Sequence, residues 1–119
     1  MTDMQTVAGG CHCGMVRYEA EADLGQAMAC NCSHCEKKGS ILTFTPAENF
    51  RLLSGEDRIT EYRFNQNKIS HRFCAVCGTQ PFAFADAPDG KPMAAINMRC
   101  IDSIDLAALT PQPFDGKSI

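Results

Sequence analysis

Apolar and polar positions alternate with a period of two along much of the chain. In MVRYEAEA (Met15–Ala22), Val16, Tyr18, Ala20 and Ala22 fall on one face and Arg17, Glu19 and Glu21 on the other. That is the period of a strand with one face buried. ILTFT (Ile41–Thr45) is β-branched and aromatic, and Pro46 ends it. RITEYRF (Arg58–Phe64) puts Thr60, Tyr62 and Phe64 on one face. Strands are also expected at Lys68–Phe73, Pro81–Ala85 and Met93–Met98, with Ala87-Pro-Asp-Gly90 as the turn of a hairpin. Pro46–Phe50 and Ser103–Leu109 are short helix candidates, the second with Ser103 as its N-cap. The pattern predicts a mainly β protein of many short strands.

The chain has 119 residues, which suits one domain over 1–119. It has no Trp, seven Phe and two Tyr, so its core is modest and something besides core size is expected to hold the fold. The net charge is −3 and the longest basic run is Lys37-Lys38. A nucleic-acid or membrane-surface partner is therefore not expected. MTDMQTVAGG has no basic segment leading into an apolar run, and no apolar stretch approaches the roughly 20 residues of a membrane span. A cytoplasmic protein is expected.

Eight cysteines change the picture. In a reducing compartment such density points to metal or redox chemistry rather than disulfides. Cys11 and Cys13 form C-x-C, Cys30, Cys32 and Cys35 form C-x-C-x2-C, and Cys74 and Cys77 form C-x2-C followed by Gly78. C-x2-C-G has the shape of a zinc knuckle, whose turn aims two sulfurs at one ion. Each group alone also fits a redox pair or buried thiols, and the spacings match neither common ferredoxin pattern. Together they favour zinc. A structural zinc takes four protein ligands and a catalytic one three, leaving a position open. Seven grouped cysteines divide as four and three. The triplet, expected to carry three thiolates on one short loop, is the candidate open site, because three ligands within six residues can hold an ion without distant help. Spacing does not say which pairs share an ion.

GGCHCGMVRYE, CNCSHCEKKG, FCAVCGTQPF, INMRCID and PFDGKS together resemble the glutathione-dependent formaldehyde-activating enzyme family, whose domain is shared with centromere protein V. The resemblance runs from Gly9 to about Ser118, so the motif-bearing core is about 9–118. It implies a β-tent of small packed antiparallel sheets stapled by zinc. It implies structural zinc on Cys11, Cys13, Cys74 and Cys77 and catalytic zinc on Cys30, Cys32 and Cys35, two ions per chain. The implied activity is that of a carbon–sulfur lyase which joins glutathione, or a similar small thiol, to the aldehyde formaldehyde as S-hydroxymethylglutathione. The rival reading is a non-catalytic zinc module that binds a partner. The sequence departs from the family at Gln80-Pro81, where many members have a proline followed by leucine, and Pro81 cannot donate to a strand ladder.

Other polar residues have plainer expected roles. His12 and His34, between cysteines, are expected to point away from a metal, and His71 to lie on a strand surface. Lys37, Lys38 and Arg72 flank the cysteine groups, where they would balance thiolate charge, attract a glutathione carboxylate or simply face water. Cys100 is expected to be a buried structural cysteine. Asn97, Arg99 and Asp102 fit the family's late motif without an assigned role.

Overall fold

A computed structural model describes residues 4–30, 33–63, 69–87, 89–102 and 104–114. Among the described residues, ten strands and one short α-helix follow one another as β1 (Met4–Gly10), β2 (Arg17–Asp23), β3 (Met28–Cys30), α1 (Ser33–Lys38), β4 (Leu42–Pro46), β5 (Phe50–Ser54), β6 (Ile59–Tyr62), β7 (Ser70–Cys74), β8 (Phe82–Asp86), β9 (Pro92–Asn97) and β10 (Gln112–Phe114). The protein is mainly β, as its alternation predicts. The strands form a three-stranded sheet, β1-β2-β5, and a seven-stranded sheet, β10-β3-β4-β9-β8-β7-β6. Neighbours are antiparallel except β3 and β10, which are parallel. Among the described residues no helix is long and apolar enough to cross a membrane.

β2 shows how the pattern becomes a core. Val16, just ahead of the strand, and Tyr18, Ala20 and Ala22 are all fully buried. On the other face Arg51 of β5 bridges Glu19 and Glu21. Tyr18 stacks on Phe50 from the same sheet and meets Phe82 of the large sheet edge-on, with Phe84 closing the cluster. The sheets are also joined by side chains. The hydroxyls of Thr43 and Thr45 in β4 donate to the carbonyls of Asp23 and Glu21 in β2, at 2.9 and 2.7 Å. A buried hydroxyl with a partner avoids the cost of an unsatisfied polar group.

The turn before Gly90 joins β8 to β9 as expected, with Ala87 N–H donating to Lys91 O. Two helix expectations shrink. At Pro46–Phe50 only Ala47–Asn49 makes a 3-10 turn, because Phe50 already pairs with Ala20 as a strand residue. At Ser103–Leu109 the turn is Leu106–Ala108, and Asp105 caps it by accepting from Ala107 N–H; Ser103 lies outside the described residues. Phe64 and Lys68 lie outside them too. Pro81 sits one residue before β8, so its missing N–H removes no ladder bond; its carbonyl accepts from Asn97 N–H.

Candidate metal centre

β1 of the small sheet ends at Gly10, and a tight loop carries Cys11 and Cys13. Cys11 N–H donates to Val16 O at 3.0 Å, and Val16 N–H returns a bond to Cys11 Sγ at 3.3 Å. The loop closes so tightly that a Cβ on Gly10 would lie 2.0 Å from Val16 O, so only glycine fits. β7 of the large sheet ends at Cys74 in a second turn. There Cys74 N–H donates to Thr79 O and Gly78 N–H to Cys74 O, both at 2.9 Å. The N–H groups of Val76 and Cys77 point at Cys74 Sγ, at 3.3 and 3.4 Å. Gly78 has φ 79°, a left-handed conformation that glycine adopts without strain.

These two turns bring four sulfurs from two sheets to one point. The Sγ atoms of Cys11, Cys13, Cys74 and Cys77 all lie within 4.8 Å of one another. Cys11 and Cys13 are 3.5 Å apart, Cys13 and Cys74 3.7 Å. Zinc–sulfur bonds of about 2.3 Å in a tetrahedron set sulfurs about 3.8 Å apart, so the cluster matches zinc in number, chemistry and spacing. Cys11 and Cys74 are buried, Cys77 is half-buried and Cys13 faces solvent.

The thiols divide in their acidity. Thr79 backbone and hydroxyl hydrogen bonds, with help from Cys13 N–H, bring Cys77 down to about 5. Cys11 is lowered as well: burial opposes this, but the Val16 N–H and the thiols of Cys13 and Cys74 outweigh it. Cys13 moves up to about 12. A backbone bond at Met15 works against the rise, which burial and the neighbouring sulfurs cause. Four thiolates this close repel one another, and a divalent cation at their centre would let all four ionise. Cys100 stands beside this cluster. It is half-buried rather than buried as expected; its Sγ donates to Gln80 O at 3.7 Å, and burial raises its thiol to about 11.

The third cysteine group is built differently. Cys30 ends β3 and Cys35 lies in α1, both half-buried; Cys32 lies outside the described residues. The segment that spacing presents as a loop is helical over Ser33–Lys38. Lysines fill its last turn, and Gly39, at φ 70°, donates to Cys35 O to end it. The run EKKG carried that signal.

One of the two histidines near this helix differs from expectation. His71 is 4% exposed and so is not a surface residue. Its ring lies 4.0 Å from that of His34, which also stacks on Tyr62 at 5.7 Å. His34 is therefore packed between the rings of His71 and Tyr62. Burial, then the charges at His34 and Lys38, lower His71 to about 4; burial and Lys38 lower His34. Gln80 Nε2 lies 3.4 Å from His71 Nδ1. His12 is exposed between its cysteines.

Ser33, His34, Lys37, Lys38 and Tyr62 line an open groove of about 370 Å³. Lys38 Nζ lies 5.6 Å over the Phe73 ring. Arg72 is occupied elsewhere, stacked on Phe84 and paired with Glu61. The late motif is structural: Asn97 Nδ2 donates to Gln80 O, Arg99 Nε donates to Gly39 O at the end of α1, and Asp102 pairs with Arg17. Ser33 and Tyr62 were not singled out by spacing, since strand and helix meet only in the fold.

The architecture defines a small β protein whose two sheets meet at a four-cysteine site able to hold a metal. A family model described as glutathione-dependent formaldehyde-activating enzyme matches residues 6–114, and the chain belongs to that family. The fold is also similar to the crystal structure of a Rhodobacter sphaeroides protein, at 26% identity and a TM-score of 0.79, covering 89% of this chain and 97% of that one.

Proposed function

We propose that the protein is a zinc-dependent carbon–sulfur lyase-type enzyme that joins formaldehyde to a small thiol, glutathione or similar. One observation carries this reading beyond family membership. Four of the seven grouped cysteines converge on one point, which would leave Cys30, Cys32 and Cys35 for a second ion; α1, which carries Cys35, also lines an open groove through Ser33, His34, Lys37 and Lys38. Cys11, Cys13, Cys74 and Cys77 would hold structural zinc, and Cys30, Cys32 and Cys35 the catalytic zinc. An ion with a free position supplies Lewis acidity and favours the thiolate over the thiol.

The chemistry asked of the site is small. The thiol sulfur attacks the formaldehyde carbon and a carbon–sulfur bond forms. The carbonyl π pair moves to oxygen, which takes the proton that the thiol gave up. A free thiol of pKa about 8.5 is only a few per cent ionised at pH 7, so full ionisation raises the nucleophile's concentration about thirtyfold. The stacked rings of His34, His71 and Tyr62 form an aromatic wall beside the helix, and burial lowers both imidazoles from their ordinary value, His71 to about 4. A reducing cytoplasm would keep the thiols available.

A non-catalytic zinc module is the second reading. Met15 and Val76, at the tips of the two cysteine loops, are 40% and 59% exposed and would suit a partner's apolar surface.

Metal content and glutathione binding on one purified sample test the proposal. Two zinc ions per chain are expected. Glutathione at tenfold its Kd should stabilise the protein by roughly 1.4 kcal/mol, a melting shift of a few degrees. S-methylglutathione, which has no thiol to ionise, should do much less. No response of the metal-loaded protein to any small thiol favours the module.

A further inference from the structure

Gln80 is the residue at which the four-cysteine turn and α1 are joined. It follows Thr79, whose carbonyl accepts from Cys74 N–H to close that turn. It is 9% exposed, so its polar groups sit where an unpaired one is costly. Its backbone carbonyl accepts from Asn97 Nδ2 at 3.0 Å and from Cys100 Sγ at 3.7 Å. Asn97 Oδ1 in turn accepts from Arg99 N–H, and Arg99 Nε donates to Gly39 O, where α1 ends. The Gln80 side chain leads to the other end of the helix. Its Nε2 lies 3.4 Å from Nδ1 of His71, whose buried ring is 4.0 Å from that of His34, the second residue of α1.

From this we infer that Gln80 is a positioning residue, which fixes the tautomer of His71 and, through His71, the place of α1. Burial lowers His71 to about 4, so at neutral pH its ring has a single proton to place. An amide nitrogen only donates, so Nδ1 accepts and the proton is carried on Nε2. Gln80 Oε1 is buried with no hydrogen-bond partner among the described residues, so the bond to His71 is the one that orients this amide. His34 rests on the ring held in this way, and it lines the groove with Ser33, Lys37 and Lys38 of the same helix. α1 has six residues, none of them buried. A helix so short is not stable by itself. It is held by ties to the rest of the fold, the His71–His34 contact near its start and the Arg99–Gly39 bond at its end. This role of Gln80 does not depend on what the groove binds.

The test uses the metal-loaded full chain at neutral pH. Long-range proton–nitrogen NMR spectra should show His71 as the Nε2–H tautomer alone. Gln80→Met keeps a side chain of similar length and the backbone carbonyl but removes the amide, and should show a mixture of the two tautomers. In that variant Gly39 N–H, which closes α1 on Cys35 O, should exchange with solvent about fivefold faster, the size of one lost hydrogen bond. Amides of β2 should exchange as before, with metal content unchanged. Arg99→Met cuts the other tie, and should speed Gly39 exchange by a similar factor while leaving the His71 tautomer as it was. An Nδ1–H tautomer in the unaltered protein overturns the inference. So does an unchanged tautomer, or unchanged Gly39 exchange, in Gln80→Met. An equal rise across β2 overturns it as well, because the amide would then support the whole fold rather than α1.

Discussion

The two cysteine regions use the same ligand and are put together in opposite ways. Cys11 and Cys13 follow β1 of one sheet, and Cys74 and Cys77 follow β7 of the other. Cys13 and Cys74, 61 positions apart, bring their sulfurs to 3.7 Å. Cys30 and Cys35 stand on one short stretch of strand and helix. Closing a long loop restricts the unfolded chain far more than bridging neighbours does. The sequence separation of the ligands would thus decide whether a metal bound at either group holds the fold or only sits on it.

The largest expected effect comes from cutting the long-range site. Apparent zinc-binding energies of roughly 10–16 kcal/mol match or exceed the roughly 5–15 kcal/mol stability of a domain. Cys77→Ser is expected to abolish cooperative folding in thermal melts followed by circular dichroism. Cys35→Ser should melt within a few degrees of the unaltered protein while metal analysis shows one zinc lost. The opposite order of melting would reverse the two assignments.

Two glycines carry the comparison to the backbone. An alanine at Gly10 would place its Cβ 2.0 Å from the Val16 carbonyl, whereas one at Gly39 meets nothing within 4 Å and pays only for φ 70°. Gly10→Ala should cost about 3 kcal/mol or more, the upper range of overpacking. Gly39→Ala should cost about 1–2 kcal/mol. Chemical denaturation of both variants measures the gap; equal losses would mean that the Cys11 loop relaxes freely.

The smallest effect concerns protons beside α1. Burial lowers His71 from the ordinary 6.5 to about 4, so between these values the unfolded chain binds more protons than the fold. The stability this contributes is complete above pH 6.5 and lost as pH falls towards 4. His71→Asn should therefore flatten the pH dependence of stability in that window, by up to about one proton. An unchanged slope would show that the acid sensitivity belongs to the cysteine cluster, where Cys77 ionises near 5.

Much of the architecture was legible because β2 announces itself: Val16, Tyr18, Ala20 and Ala22 alternate in the sequence and are buried in the fold. β1 was not legible. Its run MQTVAGG ends in small residues with no side chains to alternate, and it becomes a strand by pairing with β2 along its whole length. β3 and β10 have three residues each, too few to show a period, and take their form from each other. His71 reads as a surface position on any strand; it is buried because α1 lays His34 across it.

What the sequence determined by itself is local chemistry. C-x2-C-G specifies a turn that aims N–H groups at a sulfur, and EKKG specifies the end of a helix, because each is settled by backbone geometry within five or six residues. Which cysteines share a point, and which lysines face an open groove, were decided only in the tertiary structure. Those relations join residues tens of positions apart, and their distances depend on how two sheets pack through Tyr18, Phe50 and Phe82. No local preference encodes such a distance.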